Sequence, residues 1–212
     1  MKTSGAGFSV IDREDILKKI RTIKNTVKAK TLPSVYLLHG DFTDDEMNEL
    51  YNHPKVKAHV NITHGEGFGR PLLEASISGK PVIASNWSGH LDFLSKELSI
   101  LVGGKLSQVP KSSFPKDMHI EGTEWFTVNY NEFSAVLREV HKNYKKYTLN
   151  SLKLSKINKS LYSLDKMTKE LGVMLDKYVP EFPKEVKLEL PKLKKVGQSE
   201  TPKMKLPKLK KV

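Results

Sequence analysis

The sequence predicts an α/β domain, a parallel sheet with helices on both faces, followed by a long C-terminal helix and a basic tail. Three observations carry that reading. Short apolar runs alternate with helical patterns up to about Tyr147, the order that builds parallel sheets. A glycine-rich turn joins one such run to the next helix, at the carboxyl end of a strand where these sheets bind ligands. Composition changes at Pro180, beyond which lie ten Lys against four Glu and half of the net charge of +12.

The elements follow in order. Phe8–Ile11 is a short apolar run. Asp12 with Asp15 resembles a carboxylate capping box, and Ile16, Ile20 and Ile23 give the next segment an apolar face to about Val27. Leu32–Leu38 contains a buried-strand run. Thr43 with Glu46 forms a second capping box, opening a helix through Met47, Leu50 and Tyr51. Lys57–Thr63 reads as a strand, then the glycine turn, then a helix over Pro71–Ser78 closed by Gly79. Strands are expected at Pro81–Ala84 and Leu98–Val102. Helices are expected at Asn131–Tyr147, with Phe133, Val136, Leu137 and Val140 on one side, and at Ser151–Tyr178. This divides the chain into a domain over 1–149, a helix packed on it over 150–179, and a tail over 180–212.

Composition bounds the chemistry. The chain of 212 residues has no cysteine, which excludes disulfides, thiolate metal sites and a cysteine nucleophile and suits a reducing compartment. No apolar run approaches the roughly 20 residues that span a bilayer, and the N-terminus lacks the apolar stretch of a secretory signal. A soluble, cytoplasmic protein is expected. In the tail, Leu-Pro-Lys-Leu-Lys-Lys-Val occurs at Leu190–Val196 and again at Leu206–Val212. Its prolines oppose regular structure, and it reads either as a disordered solvated tail or as a docking strip for an acidic partner, a nucleic acid or an anionic surface.

The candidate site is His64-Gly65-Glu66-Gly67-Phe68-Gly69-Arg70-Pro71-Leu72-Leu73-Glu74. Glycines let a ligand approach the backbone, and amides at a helix start favour an anion, so a phosphate-bearing ligand is expected. The segment is not a Walker loop, since no Gly-Lys-Ser/Thr follows. Nor is it the dinucleotide fingerprint, since Arg70 stands at the third glycine position. Glu66 and Glu74 have seven residues between them, with Glu66 in the turn and Glu74 in the helix. Carboxylates accept paired hydroxyl donors, which suits ribose and sugar rings. The plain alternative is two solvated surface charges. His64 could contact phosphate or simply end a strand, and His90 could face the same cleft. Trp87 and Trp125 read as core or interface residues. No histidine has a convincing metal spacing.

Glu66-Gly67-Phe68-Gly69, Glu74-Ala75 and Gly79-Lys80-Pro81-Val82-Ile83-Ala84-Ser85 together resemble the signature of the group 1, or family 4, glycosyltransferases, retaining enzymes of the GT-B type. Ser88–Phe93 and the basic tail are similar to a phage-associated branch, and the resemblance extends over about Lys2–Tyr147. It implies a Rossmann-like donor domain, the C-terminal half of a GT-B fold, binding a nucleotide-diphosphate sugar and transferring its glycosyl group with retention. It implies that Glu66 holds the donor sugar at the reacting carbon, and that Gly65, Gly67, Phe68 and Gly69 line sugar and phosphate. Glu74 would then hold the ribose, while Lys2 and Arg70 neutralise the diphosphate. Neither a metal nor a cofactor is implied, in keeping with the lack of any Asp-x-Asp. A GT-B acceptor domain normally precedes this segment, so the expectation is a fragment of a longer gene, a separate acceptor-domain chain as partner, or a domain that has lost transfer, with an unidentified glycosyl acceptor as the further partner. A non-catalytic nucleotide-sugar-binding module and a tail-driven basic interaction protein are the alternatives.

Overall fold

The computed structural model describes residues 1–3, 9–114, 118 and 120–180; the repeated tail motif lies outside them. The chain divides into two units, Met1–Leu171 and Gly172–Val212. The described part of the second is the end of one helix and the residues to Pro180.

The first unit runs β1 (Lys2–Thr3), α1 (Val10–Thr26), β2 (Leu38–His39), α2 (Asp44–Asn52), β3 (His59–Asn61), α3 (Arg70–Ile77), β4 (Val82–Ser85), β5 (Ile100–Val102), β6 (Gly104–Gln108), β7 (Glu124–Val128), α4 (Tyr130–Lys142) and α5 (Tyr144–Leu161). A last helix, α6, spans Leu164–Tyr178. β3, β4 and β5 form a parallel sheet in that order, and β1 pairs in parallel with β2. The expected α/β architecture stands.

β4 shows why the sheet needs cover on both faces. Its four residues, Val-Ile-Ala-Ser, are all buried, and alternate side chains of a strand point to opposite faces. Val82 and Ala84 join Leu72 and Ala75 of α3, Phe93, Leu94 and Leu154 of α5 in one core. Ile83 joins Val102, Phe126, Val128 and Val140 of α4 in the other. A central apolar strand thereby separates two cores, one under α3 and α5 and the other under α4 and β7.

Local sequence and structure disagree in four places. The first helix starts earlier than expected: Ser9 is the N-cap and makes a capping box with Asp12, so Val10 and Ile11 lie in a helical turn and not in a strand. Leu32–Tyr36 is irregular, and strand pairing begins only at Leu38. An antiparallel hairpin, β6 with β7, was not anticipated; Ser107 pairs with Trp125 in it, and its hydroxyl reaches diagonally to that of Thr127, 2.6 Å away. The C-terminal helices break at Asn143 and at Tyr162–Ser163, not between Tyr147 and Ser151. Thr43 and Glu46 do form the expected reciprocal box at the start of α2.

α5 is tied to α3 and to the segment after β4 by polar contacts from its inner face. Asn158 donates to Ser76 Oγ at 2.8 Å and to the Phe93 carbonyl at 3.2 Å, and Ser155 donates to the Ile77 carbonyl at 2.7 Å. Asn158 is buried, so truncating it leaves both acceptors without their donor in a dry place. Asn158→Ala is expected to cost about 2–3 kcal/mol of stability, read from the denaturant midpoint.

Candidate functional site

The glycine turn connects β3 to α3 at the carboxyl end of the parallel sheet. Gly69 is the N-cap of α3 with φ of 84°, a left-handed conformation that glycine adopts without strain. Its carbonyl accepts from the Leu72 and Leu73 amides. It offers no side chain to cap the helix, which leaves this positive end to water or to a ligand.

A second loop grips the turn from below. Ser88 Oγ accepts from the Glu66 amide at 3.0 Å and donates to the Glu66 carbonyl at 2.5 Å, while the Gly89 amide donates to that carbonyl at 3.0 Å. Ser88 takes φ of 87°, an unfavourable conformation for a residue with a side chain. A Cβ on Gly89 would lie 1.9 Å from the Gly67 carbonyl oxygen. The two backbones therefore touch only because position 89 is glycine. Sequence reading identified Ser88-Gly89 as part of a familiar loop but not as the clamp that sets Glu66.

The two glutamates are held differently. Glu66 Oε1 accepts from Asn61 Nδ2 at 3.3 Å; Asn61, at the end of β3, carried no sequence signal. Glu74 Oε1 accepts from Arg70 Nε at 2.6 Å, and the Arg70 guanidinium also lies 3.6 Å from Asp44. Tyr51 stands over Glu74. Burial first, then the Glu74 carboxylate it bonds, push its phenol up to about 12, so it stays a hydrogen-bond donor through the physiological range.

A cleft of about 880 Å³ lies between the β1–β2 pair, α2, β3 and the start of α3; Lys2, Tyr51, His59, Asn61, Arg70 and Glu74 are among its walls. Lys2 Nζ donates to the Gly40 carbonyl at 2.8 Å and sits 4.8 Å from the centre of the Phe42 ring. The structure thus brings Lys2, Arg70 and Glu74 to one cleft, with Glu66 joined to its wall through Asn61. Gly65 and Gly67 lie in the turn; Gly65 would carry a Cβ in ordinary contact with Ser88, and Gly67 faces open space. Phe68 leans on Phe93 and Tyr162, with ring centres 5.2 and 6.0 Å away. His64 turns to the hairpin, stacking on Trp125 at 3.7 Å with Nδ1 2.6 Å from the Phe126 carbonyl. His90 is buried, with Nε2 2.7 Å from the Ser85 carbonyl. Trp87 stacks on Phe126.

Among the described residues no group of three or more His, Asp and Glu could hold a metal ion, and no helix is long and apolar enough to cross a membrane.

Two predictions follow from this geometry. Gly89→Ala forces two backbones apart, and is expected to destabilise the fold by about 3 kcal/mol in thermal or denaturant melts. Burial first, then the Lys80 ammonium, push the His59 imidazole down to about 4. The unfolded chain, with an ordinary imidazole near 6.5, then binds more protons between those values. Stability should fall as pH drops from about 6.5 to about 4, and His59→Gln should flatten that slope by up to one proton in denaturant midpoints measured across the range.

Residues 18–103, less than half of the chain, match the family of glycosyl transferases group 1. No curated protein matches the chain. The structure superposes on Anabaena Alr3699/HepE in complex with UDP and glucose with a TM-score of 0.56, at 12% identity, over 83% of this chain and 40% of that one. The UDP-glucose complex of the same protein gives 0.52 at 14% identity over 82% and 39%, and the UDP complex gives 0.52 at 15% over 79% and 38%. The chain spans about 40% of the length of these structures. Its fold is that of the C-terminal half of a GT-B glycosyltransferase.

Proposed function

We propose that this chain is the donor half of a retaining, family 4-like glycosyltransferase that binds a nucleotide-diphosphate sugar. The observation that carries the proposal is the site itself. Two carboxylates sit on and just beyond a backbone-clamped turn, at the carboxyl end of a parallel sheet, with Arg70 and Lys2 in the adjoining cleft. The match of residues 18–103 to group 1 glycosyl transferases supports it. The UDP and UDP-glucose held by the superposed structures make a UDP-hexose the first donor class to test.

In this reading Glu74 accepts the two ribose hydroxyls, and Tyr51 holds its carboxylate in place. Arg70 must then swing from Glu74 towards the diphosphate, which is permitted by its exposed position. The uncapped start of α3 and the turn of Gly65, Gly67, Phe68 and Gly69 take the phosphates, and Lys2 adds positive charge. His64 joins them only if its ring leaves Trp125. Glu66 holds sugar hydroxyls near the reacting carbon. Catalysis rests on positioning and on neutralising the leaving diphosphate, without a metal. That phosphate also helps deprotonate an acceptor approaching the same face.

The acceptor belongs to the proposal as a partner of unspecified class, delivered by a second domain or chain. We assign residues 1–149 to the donor domain, 150–179 to a helical segment and 180–212 to a basic tail able to meet an acidic partner or surface. A cytoplasmic setting and a phage-associated origin go with this reading, and the absence of cysteine suits the former.

Calorimetric titration of the full chain with UDP-glucose, GDP-mannose and ADP-glucose tests it. Saturable binding is expected to one of them. Glu74→Ala should weaken that binding roughly 30- to 100-fold, the loss of about two charge-assisted hydrogen bonds. Undiminished binding in the variant, or none by the folded wild type, defeats the assignment.

A further inference from the structure

Among the described residues, none covers the apolar stripe of α6. Leu164, Met167, Leu171, Met174 and Tyr178 recur at alternating intervals of three and four, the spacing of a helix that packs along a second helix. All five are between 49% and 81% exposed, and Leu175 on the flank is 49% exposed. A stripe of this size on a charged helix marks an interaction surface.

The charges beside the stripe identify the partner. Asp165, Glu170 and Asp176 balance Lys166, Lys169 and Lys177, so the helix is neutral overall. A helix that lies on an anionic membrane carries a basic polar face instead. Glu170 immediately precedes Leu171, and Lys177 immediately precedes Tyr178, so both occupy the same edge of the stripe, one turn pair apart. Two copies of α6 running antiparallel can be set with Leu171 against Met174 of the second copy and Met167 against its Tyr178. Each contact then occurs twice by symmetry. In that register Glu170 of each copy faces Lys177 of the other. Glu170 already bonds Lys166 at 2.8 Å within its own helix, so the crossing lysine completes a Lys-Glu-Lys bridge. A parallel pair would set Glu170 beside Leu175 and leave both charges without that match.

We propose that α6 is a self-association surface, through which two copies of this chain pair by antiparallel contact of their Met167–Tyr178 stripes. The stripe is short, so the dimer is weak, with its midpoint between micromolar and millimolar chain. It is independent of donor binding.

Sedimentation equilibrium of the full chain, from micromolar to millimolar concentration, tests it. The wild type should pass from monomer to dimer. Leu171→Glu should be monomeric throughout; its site is exposed, so far-UV circular dichroism should be unchanged. Glu170→Lys or Lys177→Glu alone should each weaken pairing roughly tenfold, since two attractive contacts become repulsive. The double variant Glu170→Lys/Lys177→Glu should return to within about threefold of wild type. A wild-type chain that stays monomeric, whatever else α6 then binds, overturns the proposal. So does a dimer indifferent to Leu171→Glu, or one that the double reversal does not rescue.

Discussion

The site depends on one close approach, the contact of the Gly89 backbone with the Gly67 carbonyl. Without a side chain at 89 the loop after β4 can lie directly under the turn after β3. Ser88 then uses one hydroxyl to satisfy both the amide and the carbonyl of Glu66. Buried backbone groups need partners, and this turn has no strand to supply them. The strained φ at Ser88 is what it costs to put that hydroxyl there. Because β3 and β4 are hydrogen-bonded neighbours, the clamp also transmits the rigidity of the sheet to Glu66.

Electrostatics divides the two glutamates. Glu66 meets a neutral amide, Asn61, and keeps capacity for further donors. Glu74 meets Arg70 and Tyr51, so its negative charge is balanced by groups of the protein itself. An exposed ion pair contributes little stability and exchanges readily. Arg70 can therefore trade Glu74 for a phosphate at small cost, while Tyr51, more buried, keeps the carboxylate oriented. A half-buried tyrosine and an exposed arginine suit those separate tasks.

Exposed apolar surface is concentrated away from the two cores. α1 contains no buried residue, and Val10, Ile11 and Ile23 are exposed, as are Val35 and Tyr36 before β2. By contrast β4 and the inner faces of α3, α4 and α5 supply buried residues to the two cores. The cleft is packed unevenly: α3 joins a buried core on one side, whereas α2 on the other has no buried residue.

The α/β class, the glycine turn and the helix behind it are legible in the chain alone. These are local: a capping box spans three residues, as Thr43 with Glu46 shows, and an apolar run such as Val82–Ala84 declares a buried strand without reference to its neighbours. The spacing of Glu66 and Glu74 was legible for the same reason. Of the groups that hold those glutamates, Arg70 is a local i, i+4 partner of Glu74; the others come from the tertiary structure. Asn61, Tyr51 and Ser88 act across 5, 23 and 22 positions of chain, and polar residues in such places look like ordinary surface until the sheet aligns them. The hairpin of β6 and β7 and the breaks at Asn143 and Tyr162 escaped for a related reason. The hairpin depends on pairing between strands, and the breaks fall inside continuous helical periodicity, so neither leaves a signal in the pattern of a single segment.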